Sequence, residues 1–142
     1  MEASEATPRE PHGPLVLRTL AMPRDTNPRG EMFGGWILSQ MDTAAGLMAG
    51  EIAQGRVVTV TVDDVVFHRP IAVGDTICVH ADLVRLGRTS MDIKLEVWAR
   101  GLVESYEPDR EFVAQGVFRF VAVDLEGKPR PVPAHPSFVP ER

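Results

Sequence analysis

Between Gly34 and Gly55 the sequence leaves a helix almost no polar face. Ile37, Met41, Ala44, Met48 and Ile52 recur at helical spacing and make one apolar stripe. Leu38, Asp42, Ala45, Gly46 and Ala49 make a second stripe, of mostly small residues around a single carboxylate. A helix carrying both stripes must be covered on most sides. Gly34-Gly35 opens it and Gly55 supplies a stop. From Val57 the period changes from helical to alternating. Val57 to Phe67 is a valine-rich strand. Thr76 to Leu86 and Thr89 to Arg100 flank a reversal at Gly87-Arg88, and Phe112 to Val123 is the last strand. Leu15 to Met22 reads as a weaker first strand. Pro70 to Asp75 and Asp124 to Gly127 are turns, and Val103 to Arg110 is a polar loop. Short connections favour four antiparallel strands in meander order. One buried helix with such a sheet is an α+β domain, the sheet folding around the helix.

The 142 residues suit one domain, long enough to bury a core without disulfides or a metal staple. Residues 1–14 are expected to be a disordered arm, 15–133 the domain and 134–142 an irregular tail. With 44% hydrophobic and 25% charged residues the chain is an ordinary globular one. A net charge of −5 argues against general nucleic-acid binding, although local basic clusters remain compatible with a phosphorylated small molecule. The single cysteine, Cys78, lies in an alternating strand and reads as a half-buried structural thiol, consistent with a reducing compartment. The N-terminus has no apolar signal core. The apolar stretch from Trp36 to Ala53 is interrupted by Asp42 and Glu51, unlike a membrane span. A cytoplasmic location with no membrane or nucleic-acid partner is expected. His12, His80 and His135 are too scattered to suggest a metal site.

Asp42 is the chemically unusual residue. A carboxylate mid-helix among Leu38, Met41, Ala45 and Ala49 is costly unless partnered. It either caps a neighbouring loop or reaches solvent, or it is a catalytic base or nucleophile. Gly34-Gly35 lets a backbone or substrate approach the helix start, where free N–H groups favour an oxyanion. Such a pair is also common in purely structural roles. Asp42 follows Gly35 by roughly 10 Å of helix at about 1.5 Å per residue, too far for both to touch one carbonyl. The base and the oxyanion donor would then come from different subunits. Asn27, in the loop from Pro23 to Gly30, is either a turn former or an amide that orients water or polarises a carbonyl. His68, before Arg69-Pro70 at a strand end, reads as structural or surface.

The string Thr26-Asn27-Pro28-Arg29-Gly30-Glu31-Met32-Phe33-Gly34-Gly35-Trp36-Ile37-Leu38-Ser39-Gln40-Met41-Asp42 resembles the YciA-type bacterial acyl-CoA thioesterases, within the acyl-CoA hydrolase group of hotdog proteins. The resemblance continues through Gly55 to Val60, Phe67 to Pro70 with Val73 to Asp75, Glu96 to Trp98, and Val121 to Asp124 with Gly127 to Pro131. It covers Leu17 to Pro133, and its spaced Asn27, Gly34, Gly35 and Asp42 are specific.

That resemblance implies a hotdog fold and hydrolysis of acyl-CoA to free CoA and a carboxylic acid, with no metal or organic cofactor. It implies a dimer joined edge to edge through its sheets, often assembled into a trimer of dimers. Each site would lie at the dimer interface, pairing the carboxylate of Asp42 with Asn27 of the partner chain, and Gly34 and Gly35 would be the oxyanion region. Asp42 would act as general base or as nucleophile. Arg56, Thr59, Arg69, Arg88, Thr89 and Ser90 are the candidate CoA contacts, since basic and hydroxyl groups suit phosphates, and Lys128 and Arg130 could add charge. Each also reads as a solvated surface residue. A hotdog hydratase would need a histidine beside the helix carboxylate, and the helix has none. The competing reading is a non-catalytic acyl-CoA-binding or sensing module.

Overall fold

A computed structural model describes residues 10–101 and 110–133. Strand β1 (Leu15–Leu20) is followed by a short 3-10 turn (Pro23–Asp25) and by helix α1 (Gly34–Ala53). Strands β2 (Val57–Phe67), β3 (Thr76–Leu86), β4 (Ser90–Arg100) and β5 (Glu111–Ala122) complete the fold. The five strands form one antiparallel sheet in the order β1-β3-β4-β5-β2, which wraps around α1.

The expected meander holds for β3, β4 and β5 only. β2 pairs with β5, not with β3. The connection from residue 68 to 75 is therefore not a hairpin but a crossing from one sheet edge towards the other. It is pinned by the segment before α1: Met32 N donates to Ile71 O, Gly74 N to Ala21 O and Ala21 N to Asp75 O. Placing β2 at the far edge puts strands on both flanks of α1, which the apolar stripes demand.

The core fills the space between α1 and the inner face of the sheet. Ile37, Met41, Ala44, Ala45, Ala49, Ile52 and Ala53 are the buried helix residues. They meet the alternate residues Ile77, Val79, Met91, Ile93, Leu95, Val97, Phe118 and Phe120. The second stripe is covered unevenly. Ala45 and Ala49 are buried, whereas Leu38, Asp42 and Gly46 remain half-exposed. The chain itself thus leaves the Asp42 side of α1 open.

Both ends of the domain are fastened. Residues 10–14 of the expected arm cross the outer face of the sheet, where Gly13 O meets His80 Nδ1 at 2.9 Å and His12 N donates to Glu96 Oε1 at 3.0 Å. Gly13 has φ +88, and a Cβ there would stand 2.5 Å from Ala81 O, so only glycine fits. At the other end Arg130 Nη2 donates to Ala53 O and Nε to Val123 O, tying the last turn of α1 to the end of the sheet. The left-handed residue that stops α1 is Gln54, not Gly55. Gly55 is small because the Arg130 guanidinium lies 2.6 Å from where its Cβ would be. Expectations for residues 1–9, 102–109 and 134–142 lie outside the described residues.

Candidate active site

Asp42 points from the middle of α1 towards β2. Its Oδ1 accepts a hydrogen bond of 2.7 Å from Thr59 Oγ1. Thr59 reaches it because its register partner on β5 is Phe120, a core residue, which places both side chains on the helix side of the sheet. Among the described residues Oδ2 has no partner, and Asp42 is half-exposed. The carboxylate is oriented by one oxygen and available through the other. Thr59, singled out from the sequence as a CoA contact, is here engaged with the helix carboxylate. Its hydroxyl donates its hydrogen to Asp42.

At the start of α1, Phe33 occupies the N-cap position without a side-chain cap. Trp36 N and Ile37 N both donate to Phe33 O, so the N–H groups of Gly34 and Gly35 are left without an acceptor among the described residues. These two amides carry the positive end of the helix dipole. A Cβ on Gly34 would lie 3.5 Å from the Phe67 ring, and one on Gly35 would meet nothing within 4 Å. Neither glycine is demanded by this chain's own packing. A cavity of about 300 Å³ beside Gly34 is lined by Met32, Ile37, Phe67, His68 and Pro70 among others.

Asn27 divides its amide between two tasks. Its Oδ1 accepts from Arg29 N at 2.9 Å and Glu31 N at 3.1 Å, which holds the loop as a turn former does. With both lone pairs occupied, the group it can present outward is the Nδ2 donor pair. Within the chain no hydrogen bond joins Asn27 to Asp42. The loop of Asn27 belongs to the Gly34-Gly35 end, and Asp42 lies roughly 10 Å further along the helix.

A family model for the thioesterase superfamily matches residues 29–105. The chain belongs to the thioesterase superfamily. It is 51% identical over 123 residues to the acyl-CoA thioester hydrolase YciA of Salmonella typhimurium, covering 87% of this chain and 92% of that one. The YciA of Escherichia coli K12 is equally similar, at 51% with 87% and 93% covered. Among solved structures, a hexameric thioesterase from Yersinia pestis superposes with a TM-score of 0.81 at 49% identity, covering 89% of this chain and all of that one (100%). A hexameric hotdog fold thioesterase of Campylobacter jejuni gives 0.80 at 40%, covering 85% and 91%. The fold is accordingly a hotdog.

In this superfamily member the basic residues singled out from the sequence fall at two ends of the sheet. Arg56, Arg88, Thr89 and Ser90 gather around the end of β5: Val123 N donates to Arg56 O, Ala122 N donates to Thr89 O, and Ser90 pairs with Val121. Arg56 Nη1 is spent on Leu125 O at 3.1 Å, and Ser90 Oγ accepts from Arg85 Nη1 at 3.2 Å. Arg69 stands at the opposite end, 3.6 Å from Glu111. It shares the Phe67 end with Gly34. Arg130 caps the helix through the Ala53 carbonyl.

Two local details were not read from the sequence. One is the bond from Thr59 to Asp42, whose signal was a lone hydroxyl on the helix side of a valine-rich strand. The other is the setting of His68, whose ring stacks on Phe112 at a centroid distance of 4.8 Å with both ring nitrogens buried and unpartnered. It makes no contact with Asp42 and fits the structural reading.

Proposed function

We propose that this chain hydrolyses acyl-CoA, releasing CoA and a carboxylic acid, at a site shared between two copies of itself. The observation that carries the reading is the half-exposed Asp42 carboxylate, oriented through Oδ1 by Thr59 and open at Oδ2. A carboxylate so held can take the proton of a water as that water's oxygen attacks the thioester carbonyl carbon. The carbonyl oxygen then becomes an oxyanion, which needs preorganised donors. The unpaired N–H groups of Gly34 and Gly35 are such donors, and Asn27 Nδ2 is a further one on the loop that precedes them. They lie too far along α1 to serve their own Asp42, and a partner chain can bring them to it. Collapse of the intermediate breaks the C–S bond, and the proton held by Asp42 passes to the departing thiolate.

A second copy has a place to bind. β2 sits at the edge of the sheet with only β5 beside it. It exposes Val58, Val60, Val62, Val66 and Phe67, each between 38% and 48% accessible. A long apolar edge of this kind invites strand pairing with another chain. Pairing through β2 sets two Asp42 flanks against each other. The hexameric relatives support a trimer of such dimers for this chain too. No helix of the described residues is long and apolar enough to cross a membrane. A cytoplasmic place of action belongs to the same proposal and agrees with the free Cys78.

The decisive experiment is a CoA-release assay across acyl chain lengths on the wild type and on Asp42→Asn. Turnover by the wild type and none by the variant, with acyl-CoA still bound, is expected. Binding without release by the wild type would replace hydrolysis with the sensing module.

A further inference from the structure

Three arginines from separate parts of the chain converge on the outer face of the sheet, opposite α1. Arg18 on β1, Arg100 at the end of β4 and Arg110 just before β5 line one cavity of about 350 Å³. Its floor is built from Cys78 and Trp98, and Thr76 stands at its rim. The register explains the convergence. Arg18 lies opposite Cys78, Cys78 opposite Trp98, and Thr76 opposite Arg100, so all five project from the same face. Cys78 and Trp98 are 6% and 2% exposed, and the Trp98 Nε1–H is spent on Glu96. The floor is therefore apolar, and the polar groups the cavity offers are guanidinium groups and one hydroxyl.

Among the described residues none of the three arginines makes an ion pair or a side-chain hydrogen bond. Elsewhere on the sheet Arg85 and Arg119 behave differently, since both are held by Asp92. Three guanidinium groups around one cavity repel each other unless an anion lies between them. Their planar forks match phosphate oxygens bidentately. The volume suits a small ligand, and the apolar floor suits a ligand with more than its phosphate.

We propose that this cavity binds a phosphate-bearing small molecule, at a site separated by the sheet from Asp42. It does not depend on the hydrolytic reading, because none of its residues belongs to that site.

The test uses the full chain carrying Trp36→Phe, which leaves Trp98 as its tryptophan. Its fluorescence and thermal midpoint are followed at low ionic strength against inorganic phosphate, pyrophosphate, a nucleoside diphosphate, CoA and sulfate. A saturable response to pyrophosphate or to the nucleotide is expected, and the order of affinities tells a bare phosphate ligand from a nucleotide. Arg100→Gln with Arg110→Gln should weaken binding by about tenfold or more, the effect of losing charge-assisted hydrogen bonds. Arg56→Gln with Arg88→Gln, at the other end of the sheet, should leave it unchanged. Sulfate acting as well as pyrophosphate, a response that survives the Arg100 and Arg110 changes, or binding lost only with Arg56 and Arg88 would each overturn the proposal. So would the absence of any response, which would mean that the arginines are neutralised from within the chain.

Discussion

Thr59 and Asp42 are joined by a 2.7 Å hydrogen bond that runs from the edge strand β2 to the middle of α1. The bond ties the orientation of the one carboxylate in the apolar helix stripe to the strand whose outer edge is free. Whatever pairs with β2 is thereby positioned against Asp42 as well.

Removing that hydroxyl without removing its bulk isolates its effect. Thr59→Val leaves Oδ1 of Asp42 unpaired, and turnover should fall by about ten- to a hundredfold, the worth of a hydrogen bond to a charged group. Thr59→Ser should retain most of the rate. Steady-state kinetics with thermal midpoints on all three proteins decides it, and a Val variant with undiminished kcat would remove Thr59 from the site.

A shared site makes a second demand. Asn27→Ala and Asp42→Asn should each be inactive as pure proteins. After mixing, unfolding and reassembly, some interfaces will pair an intact Asn27 with an intact Asp42, and CoA release should partly return. Subunit exchange proven by mass with no recovered rate would count against the two-chain arrangement.

Gly35 separates folding from function. A Cβ there meets nothing within 4 Å, and alanine is the better helix former by about 1 kcal/mol. Gly35→Ala should therefore fold as well as the wild type or better, while losing activity because its methyl group stands where substrate must approach. Chemical denaturation and kcat/KM measured on the same preparation test this, and an unimpaired kcat/KM would show that nothing approaches Gly35 closely.

Much of this was legible in the sequence because two periodicities carried it. The helical recurrence of Ile37, Met41, Ala44 and Ile52 located α1, and the alternation after Val57 located the strands. Pairing was less legible. The segment 68–75 does contain a turn, with Asp75 N donating to Ala72 O, yet its long-range backbone bonds go to Ala21, Met32 and Val113, so it crosses the fold instead of closing a hairpin. In the site, Asp42, Gly34 and Gly35 stood out by chemistry that does not suit their surroundings. Thr59 was singled out only as a CoA contact and not as a partner of Asp42, because which way a strand threonine faces is unknown until the sheet is built. The capping by Arg130 was not legible either, since its partners are backbone carbonyls, which no side-chain pattern announces.

Arg130 gives a prediction on stability alone. Arg130→Ala frees the carbonyls of Ala53 and Val123 and should cost about 1–3 kcal/mol. Arg130→Lys should recover little, since one ammonium cannot span both carbonyls. Urea unfolding checks both, and a lysine variant as stable as wild type would reduce the cap to simple charge.

The strand inventory alone would suggest that the folded unit begins at Leu15. The crossing of residues 10–14 over the outer face says otherwise. A protein trimmed to Leu15 would keep every helix and strand, but Glu96 would lose the His12 amide that helps to hold it, and the cover over His80 would be gone. Laboratories that shorten the chain for crystals, or graft a tag directly before β1, would be working with a molecule stripped of part of its wall, and its behaviour in solution should be judged accordingly.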